Sequence, residues 1–361
     1  MNREVTMINS IKQIDEYKRY RTKKTIIIIL LLFMVAIASV LAINAGALGL
    51  NLYQVFCAIL GRGDETSKLI VWNIRMPRVL AAIIGGAGLS TAGCVMQNNL
   101  RNPLASPSTL GISNSAAFGA NLAIIVFGAG RVGSTSLDAV AINNPYVVTT
   151  SAFIWAMVSA MVILMLARFR GFTPEAMVLS GVAISSVFSA GTMLIQYFAQ
   201  DVQVAAAVFW TFGDLGRAVG NEVIIMTVVI GLSIIYFLFR RWDYNAIDSG
   251  EENAKSLGVH VENIRLGGMF VSSLITAVVV SFLGIIGFIG LVPPQIMRRI
   301  IGGDHRYLIP ASALAGALLL LVSDTLARTV ISPVVLPVGA ITSFFGAPLF
   351  LYLLARGYRN K

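Results

Sequence analysis

Long apolar runs joined by short polar connectors make up most of this chain. They fall at about 26–45, 78–98, 109–128, 147–167, 174–198, 221–239, 264–283, 285–301, 308–328 and 338–355. Most are close to the ~20 residues an α-helix needs to cross a hydrocarbon core of about 30 Å. The pattern predicts an all-α, polytopic membrane protein of about ten transmembrane helices. The run at 285–301 is weaker, being short, Gly-rich and interrupted by Pro293-Pro294. The stretch 202–215 is too short to cross and is predicted as a partial helix at the outer surface. A polar, basic segment, 1–24, precedes the first run. Residues 25–357 then read as a single transmembrane domain with one long internal loop at about 240–263, and 358–361 as a tail. The first run is longer than the apolar core of a cleavable signal peptide, so it is expected to stay as a span.

Composition sharpens this picture. Apolar residues are 57% of the chain and charged ones 12%, with a mean hydropathy of +0.80. Soluble domains run nearer half apolar and a quarter charged. A soluble enzyme, a disordered regulator and a nucleic-acid binder are therefore poor readings, despite the net charge of +10. With ten crossings and a cytoplasmic N-terminus, 20 of the 27 Lys/Arg fall on the inside. Seven fall outside: Arg62, Lys68, Arg75, Arg78, Arg131, Arg217 and Arg328. That asymmetry follows the positive-inside rule and places both termini in the cytoplasm of a cell-membrane protein.

The scarce residues leave little material for catalysis. Cys57 and Cys94 have no C-x-x-C spacing. His260 and His305 lie in polar stretches and are expected to be solvated. No lysine follows a glycine, so a phosphate-binding P-loop is excluded. No catalytic residue, metal site or cofactor is expected. The spans are nearly free of ionisable groups, which usually mark ion pathways. Asp324 is the nearest case, one turn before Arg328 and able to pair with it at i,i+4. A secondary transporter driven by an ion gradient would need a buried coupling carboxylate that the spans lack. The driving subunit must therefore be another protein.

Smaller patterns mark surfaces. Ala82, Gly86, Ser90 and Cys94 recur every fourth residue, and Gly284, Gly287 and Gly290 every third; both patterns predict thin helix faces for close packing. In the loop after Arg240, Ser249 and Glu252 have capping-box spacing. They predict a short helix through Ala254 and Leu257, stopped by Gly258. Such a helix could dock in a groove of a cytosolic partner. Arg75-Met76-Pro77-Arg78 opens the second span, with proline suited to a first turn and two arginines projecting from one helix end.

The stretch RMPRVLAAIIGGAGLSTAGCVMQNNLRNPLASPSTLGISNSAAFGA (75–120) resembles the signature region of permease subunits of ABC importers for iron-siderophores and vitamin B12. The runs at 284–328 and 336–354, and the A-x-S-L-G pattern at 254–258, are similar to the same family. The resemblance implies ten helices per subunit and two permeases side by side, as copies or paralogues. It also implies two cytosolic ATPases and an extracytoplasmic binding protein. By that resemblance Arg75, Arg78 and Arg328 receive acidic residues of the binding protein. Asn102 and Leu104, in the N-P-L-A turn, lie at the cytoplasmic gate. Ala254, Ser256, Leu257 and Gly258 form the coupling segment that answers the ATPases. One departure is clear: the family commonly has G-L-V-x-P-H where this chain has Gly290-Leu291-Val292-Pro293-Pro294-Gln295, so no role of that histidine carries over. The expected function is import of an iron(III)-siderophore through weak, mostly uncharged walls in the lipid bilayer, with cobalamin or haem as the alternative cargo.

Overall fold

A computed structural model describes residues 2–46, 51–129, 144–169 and 173–357. The tail at 358–361 and two of the counted charges, Arg131 and Arg170, lie outside them. Among the described residues the chain is helical and has no strand. The helices are α1 (Asn2–Asn44), α2 (Leu52–Ile59), α3 (Glu65–Leu69), α4 (Met76–Asn99), α5 (Ile112–Asn121), α6 (Pro145–Phe169), α7 (Pro174–Tyr197) and α8 (Asp201–Thr211). They continue as α9 (Gly220–Phe239), α10 (Arg241–Asp248), α11 (Glu251–Ser256), α12 (Val261–Leu283), α13 (Val292–Ile301), α14 (His305–Thr329) and α15 (Val338–Gly357).

The ten apolar runs land on α1, α4, α5, α6, α7, α9, α12, α13, α14 and α15. Seven of the helices are long and apolar enough to cross a membrane, while Ile112–Val126 and Val338–Leu353 are shorter apolar helices. α1 begins far before its apolar run. Residues 2–24 contain neither glycine nor proline, so nothing stops the helix from extending through the basic segment. The short helix expected near 202–215 is α8.

α4 lies at the centre and runs antiparallel to α12 and α14. The stripe Ala82, Gly86, Ser90, Cys94 explains how closely α14 approaches. A Cβ on Gly86 would lie 2.4 Å from the Gly316 carbonyl oxygen, and the Ser90 hydroxyl donates to the Ser312 carbonyl at 2.6 Å. Without a strong hydrophobic drive between helices in lipid, such backbone-to-backbone contact and interhelical hydrogen bonding hold them together. α1, α4, α9, α12 and α14 share one core, and α5 and α6 pack with α12 in a second.

The glycines at 284, 287 and 290 do not form a helix face. Gly284 (φ 79°) ends α12 and Phe288 also has positive φ, 65°, so 284–291 is irregular until the proline pair opens α13. Irregular backbone at membrane depth is tolerated only where protein encloses it. Here α4 does so: a Cβ on Gly93 would fall 1.7 Å from the Gly290 carbonyl oxygen. By contrast, α7 and α15 present open apolar faces, with Leu179, Val187, Met193, Tyr197, Phe344 and Leu351 exposed.

Candidate functional site

α4 is 24 residues long, about 36 Å at 1.5 Å per residue. It carries predicted site residues at both ends. At its start, a π-helical turn (Ile70–Arg75) leads into α4 with Pro77 in the first turn. There the three predicted docking arginines converge, and they are turned inward rather than projecting. Asp324 is fully buried and does more than pair with Arg328 (3.0 Å). It also accepts from Arg78 Nε at 2.9 and 3.2 Å, and Arg78 reaches the half-exposed Asp214 at 3.3 Å.

The other partner of this cluster is the end of α1. A helix leaves its last carbonyls without intrahelical donors. Arg75 donates to Ile43 O (2.8 Å) and Asn44 O (3.2 Å), while Arg328 donates to Ala42 O (3.1 Å) and Ala45 O (3.0 Å). Two arginines thus cap α1 from other helices, where cations also suit the negative end of its dipole. The i,i+4 spacing of Asp324 and Arg328 made that pair legible; the roles of Asp214 and of α1 had no local signal.

At the far end, α4 finishes in Gln97-Asn98-Asn99 and runs into the turn Arg101-Asn102-Pro103-Leu104. Arg101 adopts left-handed φ (44°), a strained conformation for a residue with a side chain. The Asn102 Oδ1 accepts the Leu104 N–H at 2.9 Å, an Asx turn that satisfies backbone freed by the proline. Leu104 is 42% exposed.

The predicted coupling loop packs directly on this end, with an unexpected helix in it. α10 arises from a segment read as connector, and Asn98 Nδ2 donates to Asp248 at 2.6 Å and Tyr244 O at 3.4 Å. Arg101 donates to Ile247 O at 3.3 Å. The capping box does not form: Gly250 (φ 122°) takes the N-cap of α11, and the Ser249 hydroxyl turns back to Ala246 O. Gly258 (φ 81°) stops the segment as expected. Ala254 is buried, whereas Ser256, Leu257 and Gly258 are exposed, Leu257 by 71%. Glu251 is tied to Arg265 of α12 at 3.1 Å.

His260 is exposed as expected, but His305 is not. It is fully buried as the first residue of α14, with Nδ1 at 3.0 Å from Asn245 Oδ1 and 3.6 Å from Asp248. The adjacent Asp304 caps α14 and grips Arg306. Burial pushes its carboxyl up, but hydrogen bonds from Arg306 and Asn245 outweigh that and hold it at about 2. Burial also raises Asp248, partly offset by Arg298 and Asn98. A cleft of about 420 Å³ opens here, lined by Gln97, Arg101, Pro103, Asp248, Gln295 and Arg298. Sequence reasoning missed Asn98, Asp248 and Gln295; the one signal was a run of three amides ending an otherwise apolar helix.

The comparisons with known proteins agree with this architecture. The FecCD transport family matches residues 30–356. A Methanocaldococcus jannaschii protein named for ABC transporter permeases is 58% identical over 96% of this chain and 99% of its own. The Fe(3+)-citrate import system permease protein of Bacillus subtilis is 36% identical over 92% of this chain and 96% of its own. The hemin transport system permease protein of Yersinia pestis is 35% identical, over 90% and 94%. Among solved structures, a metal-chelate type ABC transporter in an inward-facing conformation superposes with a TM-score of 0.80 at 28% identity, covering 91% of this chain and 99% of that one. This chain belongs to the FecCD transport family and is a permease subunit of an ABC importer.

Proposed function

We propose that the chain imports an iron(III)-siderophore across the cell membrane as one of two permeases, copies or paralogues, in a complex with two cytosolic ATPases and an extracytoplasmic binding protein. One observation carries the reading: a single helix, α4, joins an arginine cluster at one end to the turn at 101–104, tied to an exposed loop, at the other. On this reading the Arg75 end faces outward, the Arg101 end faces the cytoplasm, and both termini are cytoplasmic.

Carboxylates of a docked binding protein would compete with Asp214 and Asp324 for Arg78, so docking is felt by α1 and α14 as well as α4. Charge pairing of this kind sets register and on-rate more than affinity. At the other end, Leu257 offers an apolar contact to an ATPase. Movement of α10 and α11 reaches the gate turn through Asn98 and Arg101, opening a passage that Leu104 closes. The polypeptide does no bond-making chemistry. Ion coupling has little support, since Asp324 is already engaged by two arginines.

The similarity to an Fe(3+)-citrate import system permease supports a ferric-chelate cargo; haem is the second reading, because the hemin transport system permease is almost equally similar. The test is uptake of radioactive iron as a ferric siderophore into vesicles holding the full complex, with hemin and cobalamin as competitors. Saturable, ATP-dependent iron uptake that neither competitor blocks is expected. ATP-dependent uptake of hemin or cobalamin by the same vesicles, with no uptake of the ferric chelate, would overturn the iron-siderophore assignment.

A further inference from the structure

The gate turn is held from two sides, and one of them involves a residue without an assigned role. Gln295 lies in the first half of α13, just after the proline pair. Its amide Nε2 donates to Pro103 O at 2.9 Å and to Gln97 Oε1 at 2.8 Å. Gln97 in turn donates from Nε2 to Leu291 O at 3.2 Å. The two glutamines therefore bridge three segments: the end of α4, the gate turn and the irregular stretch before α13.

The placement is specific. Pro103 has no N–H of its own, so its carbonyl is the only backbone group through which this residue can be held. Arg101, two residues earlier, sits in a left-handed conformation, which persists only where the surroundings over-determine it. The start of α13 is buried at Val292, Pro293 and Pro294, and its later residue Arg298 reaches Asp248 of α10 at 3.5 Å. Arg101 ties the same turn to α10. The turn is thus bonded at Pro103 to the first half of α13 and at Arg101 to α10.

We infer that Gln295 is a positioning residue for transport: it latches the gate turn to α13, so that the coupling loop opens the gate only by breaking the Gln295–Pro103 bond. The inference rests on the turn's being the gate, as proposed above. The latch stores no substrate contact; it sets how often the turn opens without a signal from the ATPases. Losing it should raise the spontaneously open fraction and waste ATP hydrolysis.

Hydrogen exchange in the assembled complex tests this directly, because the amides of Leu104 and Ala105 are bonded within the turn, to Asn102 Oδ1 and Asn102 O. Exchange rates follow the local opening equilibrium. Gln295→Leu should speed exchange of residues 102–105 about fivefold, the change expected for a hydrogen bond of ordinary strength. Peptides from α12 and α14 should stay at the wild-type rate. Gln295→Glu, which has the same length but cannot donate when ionised, should give the same rise; Gln295→His, which keeps a ring donor, should return exchange toward wild type. ATP hydrolysed per cargo imported should rise in the first two variants and fall back in the third. Unchanged exchange at 102–105 in both Gln295→Leu and Gln295→Glu would overturn the latch, as would failure of the histidine variant to differ from leucine. If Gln295→Leu loosens every peptide alike, the Glu and His pair decides. A faulty gate assignment shows differently: exchange responds to Gln295 while the ATP-to-cargo ratio does not.

Discussion

Replacing Asp324 with asparagine removes the charge on which two arginines converge while leaving the shape nearly unchanged. The carboxylate is fully buried, and Arg78 and Arg328 approach it at 2.9 and 3.0 Å with their own side chains 12% and 9% exposed. Removing one partner of a buried ion pair costs about 3–5 kcal/mol, because the remaining charge is left uncompensated. Arg78 keeps Asp214 and Arg328 keeps the α1 carbonyls, so the lower figure, about 3 kcal/mol, is expected. With an unfolding entropy of about 2.1 cal/mol/K per residue, a chain of 361 residues should lose about 4 °C in Tm. Cys94 is buried and supplies the readout: in a Cys57→Ser background, a thiol-reactive dye reports unfolding as that thiol becomes accessible. Asp214→Asn is the control, since an exposed pair is worth about 0–1 kcal/mol. A shift below about 1 °C for Asp324→Asn, or equal shifts for the two variants, would refute the view that Asp324 organises this end of the bundle.

Other outcomes follow from the same geometry. Gly93→Ala should prevent stable assembly, because its new Cβ would strike the Gly290 carbonyl. Gly231→Ala, with nothing within 4 Å, should stabilise α9 by up to about 1 kcal/mol; thermal unfolding of both variants checks the pair. Leu257→Asp should abolish the coupling of ATP hydrolysis to uptake while leaving Tm unchanged, since the side chain is exposed; a coupled variant would argue against ATPase contact there. Asp304 has a depressed pKa, so its stabilising effect is present above the ordinary carboxylate value near 4 and lost as pH falls through about 2. Asp304→Asn should therefore unfold more easily than wild type at pH 6, with the gap closing between pH 4 and pH 2; a gap independent of pH would contradict that role.

The spans were legible because a bilayer demands long apolar helices, and composition alone carries that demand. Their interruptions were less so. Gly284, Gly287 and Gly290 have helical spacing, yet positive φ at Gly284 and the proline pair at 293–294 break the chain there. α10 looked like a connector because its charged residues serve to grip Asn98, Arg298 and Arg240 rather than to sit in water. Ser249 and Glu252 had the right spacing for a cap, but Gly250 took that position. His305 read as a loop residue; one residue after Asp304, it becomes the start of α14 and is sealed by Asn245 and Tyr244. Arg75, Arg78 and Arg328 were found by motif, whereas the reach of Arg78 to Asp324 and of Arg328 to the end of α1 joins residues more than 200 positions apart, and Arg75 meets α1 across 31 and 32 positions. The Gln295–Pro103 bond spans 192 positions, and no local pattern links α13 to the turn at 101–104.

The most direct test of the central claim is cargo accumulation in proteoliposomes, comparing this chain alone with the chain joined by its ATPases and binding protein. The account predicts uphill accumulation only in the complete assembly, only with ATP inside and binding protein outside. Uphill accumulation by the permease chain alone, driven by an ion gradient, would contradict it.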